Sequence, residues 1–230
     1  MCGRYLSLSS PDELAEHFGV DTVRLEPREP RYNVAPSTLV PAIIEHNAER
    51  RLGELHWGFM PWWAKQLRGS PKPINARVES VATNRMFAPA FERQRCILPA
   101  DGFYEWLDRG EGRAKQPFHI ADPDGQPLAF AGIWSIWQDP NDPEAPARST
   151  AAIITTAAAG HMERIHHRMP VILPPTLWST WLGPTDDAPH LAETIQALGA
   201  PRLVATEISD RVNNVRNEGP ELIEAGTVDP

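Results

Sequence analysis

The sequence has few cysteines: Cys2 and Cys96 are the two among 230 residues. Two are too few for a disulfide scaffold, and their spacing is not that of zinc ligands. The sequence also lacks an apolar run of about 18 residues, which a membrane-spanning helix needs. Its start, MCGRYLSLSS, lacks the basic and then apolar pattern of a signal peptide. We therefore expect a cytoplasmic protein in a reducing compartment, without a membrane contact.

Phosphate-loop glycines are absent too, and the histidines show no ligand spacing with cysteines or carboxylates. We therefore expect no cofactor and no metal.

The sequence has fewer basic than acidic residues, and its formal net charge is −8. This excludes a generally basic protein that coats nucleic acid, because phosphate binding needs positive potential. The charge is unevenly placed, however: segment 62–95 has seven basic and two acidic residues, whereas segment 186–230 has nine acidic residues and three arginines. An acidic body with one basic, polyanion-binding face is one interpretation, and an ordinary solvated surface is the other.

Many short elements separated by 24 prolines are expected along the chain. Ser10, Pro11 and Glu13 form a capping pattern that predicts a helix beginning near Pro11. Strands are predicted at residues 40–45, 51–57, 96–98, 102–106, 117–121, 128–137, 151–156, 171–173 and 203–208, helices at 80–93, 175–182 and 188–198, and a surface hairpin loop at 139–147. The pattern favours a single α+β domain over residues 1–230, built on a curled, mainly antiparallel, barrel-like β-sheet with a few flanking helices.

The chemistry begins at the second residue. If Met1 is removed, Cys2 carries both a free α-amine and a thiol, with ordinary pKa values of about 7.7–8.0 and about 8.5. Such a 1,2-aminothiol reacts with aldehydes, because the amine forms an imine and the thiol then closes a thiazolidine ring. The alternative is that Cys2 merely packs near the terminus.

Several motifs elsewhere in the chain favour a functional role for Cys2 over simple packing. They are MCGRY at 1–5, RYNVAP at 31–36, WGFMPWW at 57–63, INARVES at 74–80, NRMF at 84–87, PADGFYEW at 99–106, IHHRMPVIL at 165–173 and VNNVRN at 212–217. Together they resemble the SRAP family (SOS response-associated peptidase) from Cys2 to about Ile223. The resemblance implies a sensor of abasic sites in single-stranded DNA that crosslinks covalently through its N-terminal cysteine and shields the lesion. Family members are also described as removing their own initiator methionine.

The resemblance places the family's functional set on Cys2, Asn75, Glu105 and His166. His166 suits proton transfer at the sugar oxygens, since an abasic sugar must open before an amine attacks. Glu105 lies between two aromatic residues, where desolvation raises a carboxyl pKa and suits exchange of a proton with the amine, the thiol or departing water. Asn75 suits donation to an oxyanion or holding of the α-amine. Taken without the resemblance, His166 could be a surface or packing histidine, Glu105 a half-buried strand carboxylate paired with an arginine, and Asn75 a turn residue.

The sequence departs from the commoner family form after His166, where an acidic residue usually follows and His167 stands instead. We assign the imidazole role to His166 because Ile165 and the segment Arg168–Pro170 preserve the register. The opposite assignment predicts that replacement of His167 abolishes crosslinking.

Arg4, Arg77 and Arg85 lie inside the matched motifs and are the candidate phosphate contacts. Trp62 and Trp63 are candidates to flank the lesion, because aromatic rings stack on any base with about 1–3 kcal/mol each. Stacking requires splayed bases, which favours single-stranded DNA. The alternative is that one of the two tryptophans fills the core.

Two other functions fit the same residues. One is a cysteine peptidase that acts on other proteins, with Cys2 as the nucleophile and His166 as the base. The other is a non-catalytic module that binds single-stranded DNA. The sequence also leaves open whether Met1 is removed by the protein itself or by an aminopeptidase, and a monomer is expected.

Overall fold

The molecule is built on two β-sheets, and its longest strands have 8 to 10 residues. The computed structural model describes residues 2–67, 69–70 and 72–226. The strands are β1 (Tyr5–Ser7), β2 (Thr22–Val23), β3 (Arg31–Val34), β4 (Leu39–His46), β5 (Glu49–Trp57), β6 (Asn75–Arg77), β7 (Arg95–Ala100), β8 (Gly102–Leu107), β9 (Gln116–Ala121), β10 (Leu128–Trp137), β11 (Arg148–Ala157), β12 (Arg168–Pro170) and β13 (Val204–Glu207). The α-helices are α1 (Pro11–Phe18), α2 (Val78–Val81), α3 (Ala88–Arg93), α4 (Trp178–Leu182) and α5 (Ala188–Gln196), and short 3₁₀ helices span Gly160–Arg164, Pro175–Leu177, Asp210–Asn213 and Pro220–Leu222.

The larger sheet closes on itself. Its strand order is β12-β11-β10-β7-β4-β5-β2, and β5 also pairs with β11 in parallel through Thr150↔His56 and Ala151↔Trp57. Strands β11, β10, β7, β4 and β5 therefore form a ring, with antiparallel pairing everywhere except at the β5–β11 seam. Closure leaves fewer unpaired strand edges. The expectation of an α+β fold on a curled, barrel-like sheet is confirmed.

The second sheet brings the N-terminal segment to the middle of the molecule. Its order is β13-β9-β8-β1-β3, and β1 lies between β8 and β3 in antiparallel pairing. Cys2 is part of a buried cluster with residues of both sheets, among them Tyr5, Phe103 and Ile153. A second core cluster lies under the helices, around Phe91 and Trp181. Cys2 is thus held between the two sheets.

The capped helix at Pro11 is confirmed. The Ser10 side chain accepts from the N–H of Glu13, the Glu13 carboxylate accepts from the N–H of Ser10 at 2.7 Å, and Gly19 ends the helix in the left-handed region. The hairpin loop at 139–147 is also confirmed, since it joins the antiparallel strands β10 and β11.

The prediction of one helix over 80–93 is wrong. A turn separates α2 from α3, where the Asn84 side chain accepts a hydrogen bond from the Met86 N–H at 2.9 Å. An asparagine that bonds its own neighbouring backbone competes with helix formation. The strand expected at 171–173 lies three residues earlier, at β12, although Ile172 still forms an isolated bridge with Phe130.

Within the described ranges, no helix combines the length and the apolar character needed to cross a membrane.

Candidate active site

Pairing of β1 with β8 brings Cys2 next to Glu105. Tyr5 lies opposite Phe103, and the carbonyl of Arg4 accepts a hydrogen bond from the Tyr104 N–H at 3.0 Å. Beyond this pairing, Glu105 lies close enough to Cys2 for its charge to act on the Cys2 thiol. Cys2 is fully buried and Glu105 is 2% exposed. The sheet therefore encloses a thiol and a carboxyl group together.

Asn75 reaches the same point from the other sheet. It begins β6, which pairs in parallel with β11 so that Asn75 lies opposite Ile153. Its Nδ2 donates a hydrogen bond to the carbonyl oxygen of Cys2 at 2.9 Å. Its Oδ1 is buried and accepts no hydrogen bond from the residues that the structure describes. Asn75 thus fixes the backbone of Cys2 and keeps one acceptor available beside it.

Burial controls the protonation of the thiol and the carboxyl group. Desolvation raises the pKa of the Cys2 thiol well above its ordinary range, and the negative charge of Glu105 raises it further. Desolvation also raises the pKa of Glu105. The thiolate is therefore disfavoured near neutral pH, and the carboxyl group is more basic than an exposed one.

His166 is held by the backbone that follows it. Its Nδ1 lies 2.9 Å from the amide nitrogen of Arg168 and 3.0 Å from the Arg168 carbonyl oxygen. The amide can donate to an unprotonated Nδ1 and the carbonyl can accept from a protonated one, so either tautomer is accommodated without ring rotation. Burial lowers the pKa of His166. A half-buried imidazole that changes tautomer in place suits proton transfer.

His167 does not share these contacts with the Arg168 backbone. Its exposed ring stacks on His166 with centroids 4.3 Å apart, and the charge of His166 lowers the pKa of His167. His167 also has an electrostatic link to the site, because its positive charge lowers the pKa of Glu105.

A partly buried ion pair anchors the histidine segment. Arg168 is 8% exposed, forms a two-pronged ion pair with Glu79, and donates from Nη2 to the Thr155 carbonyl at 2.6 Å. Glu79 belongs to α2, directly after β6, so the anchor joins the Asn75 and His166 segments. The sequence motifs contained both residues, but no local pattern indicated their pairing.

The candidate DNA contacts differ in their exposure to solvent. Arg77 is two residues after Asn75 on β6, so both side chains leave the same face of the strand, and Arg77 and Arg85 are exposed. Trp62 is 66% and Trp63 is 50% exposed. Trp63 also lines a cavity of about 440 Å³ together with Met86, the neighbour of Arg85.

Arg4 instead turns inward. Its Nη1 donates to Asn33 Oδ1 at 2.8 Å and to the Val212 carbonyl at 3.0 Å. Asn33 is buried, and its Nδ2 donates to the carbonyls of Asn214 and Asn217 at 3.1 and 3.0 Å. Sequence reasoning missed Asn33. Two of the matched motifs, RYNVAP and VNNVRN, had no assigned role, and this could have pointed to Asn33. In the fold, the two segments are hydrogen-bonded to each other.

Within the described ranges, no three His, Cys, Asp or Glu side chains are grouped as metal ligands.

A buried cysteine next to the N-terminus, contacted by an asparagine and flanked by a carboxyl group and two stacked imidazoles, defines a cysteine-centred site in a closed α+β barrel. The chain belongs to the SOS response associated peptidase (SRAP) family, whose model matches residues 1–215. This confirms the family expected from the motifs.

Curated relatives extend over almost the whole chain. The abasic site processing protein YoqW of Bacillus subtilis is 40% identical over 98% of this chain and 100% of its own length. The abasic site processing protein YedK of Escherichia coli is 37% identical over 97% and 99%. The abasic site processing protein HMCES of Gallus gallus is 31% identical over 84% of this chain and 66% of its own length.

Solved structures share the fold. A crystal structure of a Bacteroides thetaiotaomicron protein matches with a TM-score of 0.84 at 23% identity, over 98% of this chain and 100% of that one. A phage-related protein of Bordetella bronchiseptica matches with a TM-score of 0.70 at 29% identity, over 90% and 94%.

Proposed function

We propose that this protein senses abasic sites in single-stranded DNA and crosslinks to them through Cys2. The relatives named above are abasic site processing proteins, which supports DNA lesions as the substrate class. The observation that carries the proposal is the hydrogen bond from Asn75 to the carbonyl of Cys2, because it fixes the N-terminal residue beside Glu105.

The reaction begins with opening of the abasic sugar. His166 moves a proton between the ring oxygen and the anomeric hydroxyl, which converts the hemiacetal into the aldehyde. The free α-amine of Cys2, held by Asn75 Oδ1, attacks the aldehyde carbon. Glu105 takes a proton from the nitrogen and returns one to the departing hydroxyl, so that one water leaves and an imine remains.

The thiol then closes the ring. Its sulfur adds to the imine carbon, its proton passes to the nitrogen, and a thiazolidine joins Cys2 to the sugar. Because the pKa of the thiol is raised, the thiol reaches the imine protonated, and Glu105 is the adjacent base that removes the proton as the C–S bond forms. This order differs from that of a cysteine peptidase, which attacks as a thiolate paired with an imidazolium.

The same site would release Met1. Hydrolysis of the peptide bond between Met1 and Cys2 consumes one water and frees the α-amine that the crosslink requires. Met1 lies outside the described residues. We propose self-removal, with Glu105 as the base for the attacking water, and intact-mass measurement of Glu105→Gln reads the retained methionine directly.

A denaturing gel tests the main proposal. Mature protein is incubated with a single-stranded oligonucleotide that carries one abasic site, and we expect a slowly migrating adduct whose mass is the sum of both partners minus one water. Cys2→Ala abolishes the adduct, whereas Cys96→Ala, which alters the other buried cysteine, retains it. Annealing the same strand to its complement reduces the yield.

No adduct with the wild-type protein, or an undiminished adduct with Cys2→Ala, would overturn the proposal. A peptidase would instead cleave peptide substrates and lose that cleavage on Cys2→Ser. A binding module would retain DNA affinity and form no adduct.

A further inference from the structure

A small pocket opens at the seam where β5 meets β11. Its volume is about 110 Å³, and its polar lining comes from Ser37, His56, Lys72, Arg148 and Thr150. His56 and Thr150 are register partners across the seam, so the strand pairing fixes the floor of the pocket. None of the motifs discussed above assigned a role to Arg148 or His56.

The pocket is cationic. Lys72 and Arg148 are exposed at its rim, and His56 lies half-buried between them. No acidic side chain lines the pocket among the residues that the structure describes. The nearest carboxylate that acts on His56 is Glu54, which is engaged by Arg28 at 3.2 Å. The positive charge at this point is therefore unbalanced in a protein of net charge −8.

The pocket lies close to Asn75, which binds the carbonyl of Cys2. Two of its residues, Thr150 and Lys72, allow the separation along the backbone to be estimated. Thr150 precedes Ile153, the register partner of Asn75, by three residues of β11, a span of about 10 Å. Lys72 precedes Asn75 by three residues, which span at most about 10 Å. Strands β5 and β6 follow one another along the same edge of β11. The pocket therefore lies about 10 Å along the backbone from Asn75, within reach of a nucleotide next to one that is held at Cys2.

We propose that this pocket binds an internal phosphodiester of the DNA strand, next to the nucleotide that carries the lesion. This inference rests on the proposed function. The guanidinium of Arg148 presents parallel donors that match two phosphate oxygens, Lys72 adds a point charge, and the Ser37 hydroxyl and the His56 ring are further donors. A volume of about 110 Å³ accommodates one compact tetrahedral group. The contact is thus independent of sequence, as a lesion sensor requires.

His56 makes the contact pH-dependent. Its pKa is lowered by burial and then by the charge of Arg148, with Glu54 acting in the opposite direction. A phosphate in the pocket opposes the first two effects and favours the protonated ring, so binding takes up a proton. Affinity should therefore rise as the pH falls from 7.5 towards about 6, near the ordinary pKa of histidine.

Binding of an undamaged oligonucleotide to the Cys2→Ala protein tests the pocket without any crosslink. Fluorescence anisotropy over a salt series gives the slope of log affinity against log salt. We expect Arg148→Gln to weaken binding about fivefold and to make the slope shallower by about 0.7, the value for one phosphate contact in a single strand. His56→Gln should remove the pH dependence of affinity while keeping most of the salt slope.

Arg202→Gln is the matched control, because Arg202 is exposed and pairs with Asp124 outside the pocket. It should leave both slope and affinity at their starting values. An unchanged slope in Arg148→Gln, or an equal loss in Arg202→Gln, overturns the proposal. A loss confined to oligonucleotides with a terminal 5′-phosphate also overturns it, since the site would then bind strand ends. If the wild-type protein forms no adduct, the proposed function fails while this measurement still decides the pocket.

Discussion

At the scale of single residues, burial is what separates Cys2 from an ordinary nucleophilic cysteine. A thiol at a peptidase centre gains reactivity from a lowered pKa, usually beside an imidazolium. Here burial and the charge of Glu105 act in the opposite direction, and burial also lowers the pKa of His166. Such a site favours the neutral forms of the thiol and the imidazole. Chemistry that begins with an amine suits these forms better than attack by a thiolate.

The two adjacent histidines should contribute unequally to crosslinking. Only His166 has its Nδ1 clamped by the backbone of Arg168, which holds the ring in place while its tautomer changes. We expect His166→Ala to slow adduct formation by about 10²- to 10⁴-fold, the usual contribution of a positioned acid–base group. His167→Ala should retain most of the rate, measured by quenched time points on a denaturing gel.

The pH profile supplies a second readout for the pair. The charge of His167 lowers the pKa of Glu105, so His167→Ala should move the acidic limb of the rate profile to higher pH. A full loss of crosslinking in His167→Ala, with His166→Ala active, would reverse the assignment.

The residues of the site were predictable to different degrees. Cys2, Asn75, Glu105 and His166 could be listed from motifs, because each motif is a contiguous string. Asn33 could not, since its role depends on the carbonyls of a loop about 180 positions later in the chain. Buried polar partners of this kind are set by tertiary contacts and leave no local pattern.

At the scale of elements, the β8–β9 hairpin determines where Glu105 lies. Strand β8 begins at Gly102, next to His119 of β9. A Cβ atom on Gly102 would lie 2.6 Å from His119 Nε2 and 2.9 Å from the Ile120 carbonyl oxygen. The His119 side chain and the Ile120 backbone thus leave no room for a Cβ atom at this position.

Gly102→Ala should therefore destabilise the protein by about 1–3 kcal/mol, the usual cost of overpacking. Thermal and urea unfolding measure the change. Gly199→Ala is the matched control, because a Cβ there meets nothing within 4 Å. Equal melting temperatures for the two variants would show that the hairpin opens without cost.

The strands of the barrel were largely predictable, and the reason is their composition. The strand predicted at 128–137 coincides with β10, a β-rich run bounded by Pro127 and Gln138. Strands β3 and β6 were missed, since RYNV and NAR are too short for a distinct strand pattern and are extended because of their partners. Long-range pairing also decided the closure of the barrel, which no local periodicity reports.

At the scale of the whole molecule, the charge distribution concerns binding partners, whereas burial concerns stability towards acid. The basic segment 62–95 and the acidic segment 186–230 were visible in the sequence and concern partners. One contribution to stability towards acid comes instead from an internal histidine. His119 has a buried Nε2 without a hydrogen-bond partner in the described part of the chain, and its ring lies 5.9 Å from that of Tyr104.

Burial lowers the pKa of His119 to about 4, and this sets a pH dependence of folding. Above pH 6.5 the histidine is neutral in both the folded and unfolded states and adds no slope. Between pH 6.5 and about 4, only the unfolded state takes up the proton, so the free energy of unfolding falls by up to about 3 kcal/mol.

Urea unfolding at pH 7.0, 6.0, 5.0 and 4.5 should show this loss in the wild-type protein and a shallower one in His119→Gln. His161→Gln, which alters an exposed histidine, should keep the wild-type slope. Parallel curves for wild type and His119→Gln would show that the ring gains water or a partner on protonation, and that the acid limit of this fold is set elsewhere.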